Sequence, residues 1–254
     1  MKTLSEILYP KTSRVIRNAN IKTWSRGDGK QVHDRLAPAI QSIHDSIKDH
    51  YNNHIDQVAK QDPEILNHLR EYTHGSYGIN NWLHNYYNSF APSVLGEKHK
   101  VHSLDAITHD VKAPRSFHVY SGMSNPMEDW RSGVIPRKEV HDDEFHHCHL
   151  PAFTSTSLDP RVAGAHMNFR YHKDNVGHIL KIHIPKGSEH GAYVSGHAVE
   201  NYDYFPEGEK HFILKRGTNI AIHKVPEKHV DIEGRPIHVW HAKITEHNPM
   251  KISR

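Results

Sequence analysis

The sequence predicts an α+β fold: an N-terminal helical lobe packed on a mostly antiparallel, two-sheet β core. Two observations carry that expectation. Up to about residue 113 the apolar residues recur with helical spacing, at Ile40, Ile43, Ile47 and Tyr51 for example. After it they come as short runs bounded by turn residues, such as Phe117-His118-Val119-Tyr120 closed by Ser121-Gly122. There is no internal repeat, low-complexity tract or long linker. Residues 1–254 are therefore expected to form one domain, with 1–113 as helical lobe and 114–254 as sheet core.

Taken in order, residues 1–30 carry weak periodicity, and Ser25-Arg26-Gly27-Asp28-Gly29-Lys30 is a loop by composition. From Leu36 the stripe Ile40, Ile43, Ile47, Tyr51, Ile55, Val58 predicts a helix of about six turns. Asp62-Pro63-Glu64 opens a second helix with a cap, a proline in the first turn and an early acid, running to about Thr73. A Gly-Ser-Tyr-Gly break covers 75–78, a third helix spans 79–90 up to Pro92, and a short fourth covers Leu104, Ile107 and Val111. In the second half, strands are expected at 117–120, 152–155, 178–184, 192–194, 210–214, 219–225 and 237–244. Residues 124–149 read as loop, and 160–169 as a helix capped by Asp159.

Composition narrows the function classes. No run of 18 or more apolar residues exists, so no membrane partner is expected. The start, Met1 to Pro10, has no apolar signal core, and Cys148 stands alone, which fits a reducing compartment. The formal charge is +3 with histidines neutral, and there are 27 histidines. At pH 7 roughly a quarter of these would be protonated, adding about six positive charges. Acidic partners such as RNA or ribosomes become candidates, although no basic block or RNA-binding signature accompanies the charge.

The chemistry concentrates in three places. Tyr202-Asp203-Tyr204-Phe205-Pro206 is an aromatic, proline-terminated loop suited to a flat or cationic ligand. It leads into Glu207-Gly208-Glu209 and a strand from Lys210 to Leu214. If the strand extends through both acids, their carboxylates share one face about 6–7 Å apart. Such a pair reads either as a solvated strand end or as a site for a cation or developing positive charge. The second place is Phe153-Thr154-Ser155-Thr156-Ser157, whose hydroxyls can bond backbone or a carboxylate. The third is the strand end Tyr120-Ser121-Gly122.

In that order, over roughly residues 65–225, the chain resembles the mono-ADP-ribosyltransferases of the Arg–Ser–Glu class, found among bacterial toxins and phage-encoded host modifiers. Tyr72-Thr73, Tyr77 and Ile79-Asn80 match the family's helix before the core, and Leu104-Asp105-Ala106-Ile107 its next segment. Phe153 to Ser157 looks like its Ser-Thr-Ser motif, Glu207-Gly208-Glu209 like its Glu-x-Glu, and the aromatic loop like its substrate-recognition loop.

The resemblance implies an ADP-ribosyltransferase-like fold, NAD as substrate, and no metal. It implies transfer of ADP-ribose to a host acceptor protein, on arginine because Glu207 stands where other members carry Gln. Glu209 would stabilise the positive charge developing on the nicotinamide ribose, Ser155 would orient Glu209, and Glu207 would receive the acceptor's proton. Gly122, Thr156 and Ser157 would shape the NAD pocket, with Phe169 and Arg170 stacking nicotinamide and contacting phosphate. Tyr202, Tyr204 and Phe205 would meet the acceptor. Ser121 departs from the pattern, since the family's arginine sits there. Arg115, Arg131 or Arg170 would then take the phosphate.

Two other outcomes follow from the same residues: an NAD glycohydrolase with water as acceptor, or a catalytically silent module that binds a partner. The implied setting is host cytoplasm, with transcription or translation machinery as acceptor and RNA as a further candidate. The segment His141-Asp142-Asp143-Glu144-Phe145-His146-His147-Cys148-His149 offers ligands for zinc but lacks Cys-x-x-Cys or His-Glu-x-x-His spacing, so no metal site is expected. Lys215-Arg216 reads as strand-end charge.

Overall fold

A computed structural model describes residues 30–76, 79, 80, 83, 96–123, 134–137, 140–165, 176–198, 208–230 and 236–247. The N-terminal side is helical. Helix α1 (Lys30–Gln61) starts six residues before Leu36 and carries Pro38 in its third turn. Ile40, Ile47, Tyr51 and Ile55 form its buried stripe, as the spacing requires. Helix α2 (Glu64–His74) begins where expected, with the Asp62 carboxylate accepting the Glu64 N–H at 3.1 Å. Ile65, Leu69 and Tyr72 are its buried face. Of the expected helix over 79–90, Ile79, Asn80 and Leu83 are described and helical, while its remainder lies outside the described residues. Helix α3 (Gly96–Thr108) begins earlier than expected, and α4 (Pro160–Ala165) is capped by Asp159 through Arg161 N–H at 2.8 Å.

Among the described residues ten strands follow: β1 (Phe117–Met123), β2 (Ile135–Pro136), β3 (Phe145–Leu150), β4 (Thr154–Ser157), β5 (Gly177–Ile184), β6 (Gly191–Tyr193), β7 (His211–Leu214), β8 (Thr218–His223), β9 (Glu227–Val230) and β10 (Pro236–His247). The α+β class holds, and the sheet is mostly antiparallel. It departs from the expected two-sheet division, because the strands hydrogen-bond along one path, β2-β3-β8-β10-β5-β1-β4-β7-β6, with β9 beside β10. Among the described strands, β10 and β5 alone pair in parallel. The loop expected over 124–149 contains β3, whose histidines hide an otherwise regular strand paired with β8 from Phe145↔His223 to Leu150↔Thr218.

An apolar cluster joins the layers. Ile47, Tyr51 and Ile55 of α1, Leu69 and Tyr72 of α2, and Leu104 and Ile107 of α3 meet Phe117, Leu180, Ile182 and Phe212 of the sheet. Tyr51 and Phe117 each stand edge-on to Phe212, at 5.9 and 5.5 Å between centroids. The helices thereby press on the β4–β7–β6 edge, which is where the motif residues lie.

Candidate active site

Strand β4 delivers the three hydroxyls in alternate directions. Thr156 is buried and donates to the Phe212 carbonyl at 2.6 Å, inside its own pairing with β7. Ser155 is exposed on the opposite face and donates to the Tyr72 hydroxyl of α2 at 3.3 Å. Tyr72 is itself buried, edge-on to Phe153, and receives Asn80 Nδ2 at 3.5 Å. Burial pushes its phenol up to about 12 against the opposing pull of those two hydrogen bonds. Ser157 donates to the Glu209 carbonyl and accepts the Asp159 N–H at 2.9 Å. One hydroxyl therefore ties the end of β4 to the entry of β7.

Glu209 enters β7 through an unusual backbone. Gly208 and Lys210, on either side of it, have φ of 79° and 48°. The left-handed region is open to glycine and costs a lysine about 1 kcal/mol or more. The expected strand from Lys210 consequently starts at His211, and the alternation that would set Glu207 and Glu209 on one face is broken at Gly208. Glu207 lies outside the described residues, as do Tyr202, Tyr204, Phe205, Phe169, Arg170 and Arg131.

The Glu209 residue is 7% exposed, and its carboxylate pairs with Nε2 of His211, a residue that no sequence motif singles out. Strand alternation could not have signalled it, because the left-handed Lys210 stands between the two residues.

Ser121, in place of an arginine, takes a structural contact. Its hydroxyl donates to the Ser155 carbonyl at 3.0 Å, bridging β1 to β4. The paired register between those strands is Tyr120↔Ser157, so Gly122 lies beyond it, at the end where the hydroxyl bridge replaces the ladder. Arg115 sits before the opposite end of β1, about 20 Å of extended chain from Ser121, and donates to Ser46 at 3.2 Å. It is misplaced for a ligand near Gly122. Arg216 is more than strand-end charge: it is 6% exposed and grips Asp105 of α3 through two bonds of 2.8 and 2.6 Å.

The profile of the ADP-ribosyltransferase exoenzyme family matches residues 22–238. The chain belongs to that family. No curated protein matches the sequence significantly. Solved structures similar in fold include Plx2a, an ADP-ribosyltransferase toxin from Paenibacillus larvae, with a TM-score of 0.54 at 18% identity over 80% of this chain and 96% of that one. The enzymatic component C2-I of the Clostridium botulinum C2 toxin matches at 0.53 and 17%, over 82% of this chain and 47% of its own. BECa of a Clostridium perfringens binary enterotoxin, solved with NADH, matches at 0.53 and 17%, over 81% and 48%. The chain thus spans about half the length of the latter two.

NAD is the substrate of this exoenzyme family. The donor set fits it: the Glu209 carboxylate is buried at the entry of β7, and Gly122 of β1 offers backbone without a side chain. The segment His141–His149 behaves otherwise. His147 pairs with Asp142 at 3.0 Å, and that contact, with the Glu144 and Phe145 amides, holds the Asp142 carboxyl down to about 2. His149 meets Asn219 at 2.8 Å, and burial pushes the Cys148 thiol up to about 12. Among the described residues no group of three His, Cys, Asp or Glu side chains is arranged to hold a metal. Among them, too, no helix is long and apolar enough to cross a membrane.

Proposed function

We propose that this exoenzyme-family chain transfers the ADP-ribose of NAD to an arginine of a host acceptor protein, releasing nicotinamide. The observation that carries the reading is the β4–β7 corner, where the Ser157 hydroxyl holds the backbone of Glu209 and brings the hydroxyl strand beside a buried carboxylate. Glu209 supplies the negative charge that offsets the positive charge developing on the ribose as the glycosidic bond breaks. Ser155 is assigned to the nicotinamide side of the pocket; its hydroxyl donates to Tyr72, and its carbonyl accepts from Ser121 of β1. Thr156 and Ser157 fix the strand, and Gly122 leaves room for the nicotinamide amide.

Glu207 is assigned to draw in the acceptor and take its proton. A guanidinium attacks only after losing a proton, and a second carboxylate suits that task. Phe169 and Arg170 are assigned to nicotinamide and phosphate, and Tyr202, Tyr204 and Phe205 to the acceptor. We also read the chain as one domain acting in host cytoplasm; the apolar cluster shared between helices and sheet supports the single domain.

The test is incubation of the full chain with host lysate and tagged NAD. Transfer predicts nicotinamide release together with a labelled protein band, mapped by mass spectrometry to arginine. Nuclease-sensitive label would make RNA the acceptor, and nicotinamide without label would make the chain a glycohydrolase. Neither signal would leave a silent partner-binding module. Glu209→Gln is expected to lower nicotinamide release by about 10²–10³-fold, in the range of losing one charge-stabilising group.

A further inference from the structure

The Glu209 carboxylate has little solvent around it. Burial alone would favour its neutral form, which could not offset a cation. The carboxylate pairs with the ring of His211, whose side chain is only 13% exposed. The base of that ring is fixed from both sides. His211 lies opposite Ser157 on β4, and its carbonyl accepts the Val194 N–H at 3.0 Å from the end of β6. The imidazole is therefore held by the same ladder that holds the hydroxyl motif.

The proton's place follows from the partners. An ionised carboxylate only accepts, so Nε2 must carry hydrogen. Nδ1 is buried and has no hydrogen-bond partner among the described residues. A second N–H there would be an unsatisfied buried donor, so the neutral ring with its proton on Nε2 is the form that fits. A neutral donor leaves the pair with a net charge of −1, whereas a lysine or arginine in its place would cancel it. The titratable groups nearest in the register are Lys210 next along the chain and the Asp159–Arg161 pair at the corner after β4; Tyr193 is directed to Phe212's face, where its hydroxyl meets His44.

We infer that His211 is a positioning residue for the reaction, its Nε2–H keeping the Glu209 carboxylate ionised and aimed while adding no charge of its own. The inference rests on the assignment of Glu209 proposed above and extends it to a residue outside the family's motif.

Two variants test it. His211→Leu removes the donor, and His211→Gln retains an amide N–H at a similar reach. In ¹³C spectra of ligand-free protein labelled at glutamate Cδ, the resonance lost in Glu209→Gln is that of Glu209. Its titration midpoint is expected to rise by about one pH unit or more in His211→Leu and to return toward wild type in His211→Gln. The acid limb of kcat/KM for nicotinamide release should move the same way by about one pH unit or more, with KM for NAD little changed.

An unmoved midpoint and acid limb in folded His211→Leu would overturn the inference. If His211→Leu does not fold, the ¹⁵N spectrum of the wild type decides, with the His211 ring assigned by its loss in His211→Gln. Protonation on Nε2 at pH 8 supports the inference, and protonation on Nδ1 overturns it. Full activity in Glu209→Gln would instead remove the role of Glu209, whatever the ring does.

Discussion

Strands β5 and β4 are built on opposite terms. From His178 to His183, every residue of β5 is paired on both sides, with β1 and with β10, and the register runs without a break. Leu180, Ile182 and Ile184 face the apolar cluster, so the backbone ladder and burial agree at each position. Strand β4 is four residues long, meets β1 in register at Tyr120↔Ser157, and sends its hydroxyls to carbonyls and a phenol. The segment that follows it across the sheet enters through two left-handed residues. One strand is held by ladders on both sides; the other is laddered along its length to β7 only, and adds individual polar bonds that each admit few substitutes. The proposed chemistry sits on the second kind, where local preference and native geometry conflict.

The sharpest way to break the contrast is at Asp105. This residue and Arg216 anchor the turn after β7 to α3 by a buried pair. Asp105→Ala leaves a buried guanidinium without its carboxylate, and a loss of about 3–5 kcal/mol is expected in urea denaturation. Replacing the pair together, Asp105→Leu with Arg216→Met, should recover most of that loss. If the single and double variants are equally unstable, the edge is held by packing as the centre is.

At the centre the effect should be smaller and graded. Ile182→Val removes one methylene from a fully buried site and is expected to cost about 0.5–1.5 kcal/mol. Nicotinamide release per folded molecule should not change. A loss of activity beyond the loss of folded protein would show that the centre transmits strain to the site, and that the two regions are less separate than their bonding suggests.

The same contrast explains what could be read from the sequence. The long strands and the α1 stripe were legible because burial repeats with a fixed period. The hydroxyl motif and Glu209 were legible through family resemblance, which carries order and spacing. The pairing of Asp105 with Arg216 was not, because it joins residues 111 positions apart and neither has a local pattern. The left-handed Lys210 was illegible too, since nothing about a lysine announces positive φ. His211 was hidden by number: among 27 histidines, one at a strand start carries no signal until its neighbour is known to be a buried carboxylate. Strand β3 was lost for a related reason, its histidines reading as loop polarity although they pair regularly with β8.

The smallest expected effect lies on the centre's other face, where the apolar description fails. His118 of β1 stands opposite His183 of β5, rings 5.2 Å apart, beside the buried Lys181. His118 is exposed along one side, yet desolvation by its neighbours foremost, then the charges of Lys181, His183 and His241, hold its imidazole down to about 4. The unfolded chain binds that proton near pH 6.5, the folded chain only near 4. Between those values the unfolded state holds more protons, so stability is present above pH 6.5 and is lost as the pH falls toward 4. His146, His190 and His241 are shifted in the same direction, so His118→Asn should remove only a share of the slope. Thermal melts at about pH 7 and pH 5, on either side of the ordinary histidine value, measure it: the wild type should lose more Tm between them than the variant does. Equal losses would mean that His118 is protonated in the folded chain as readily as in the unfolded one, and that this face is solvated where the apolar face of the same strand is dry.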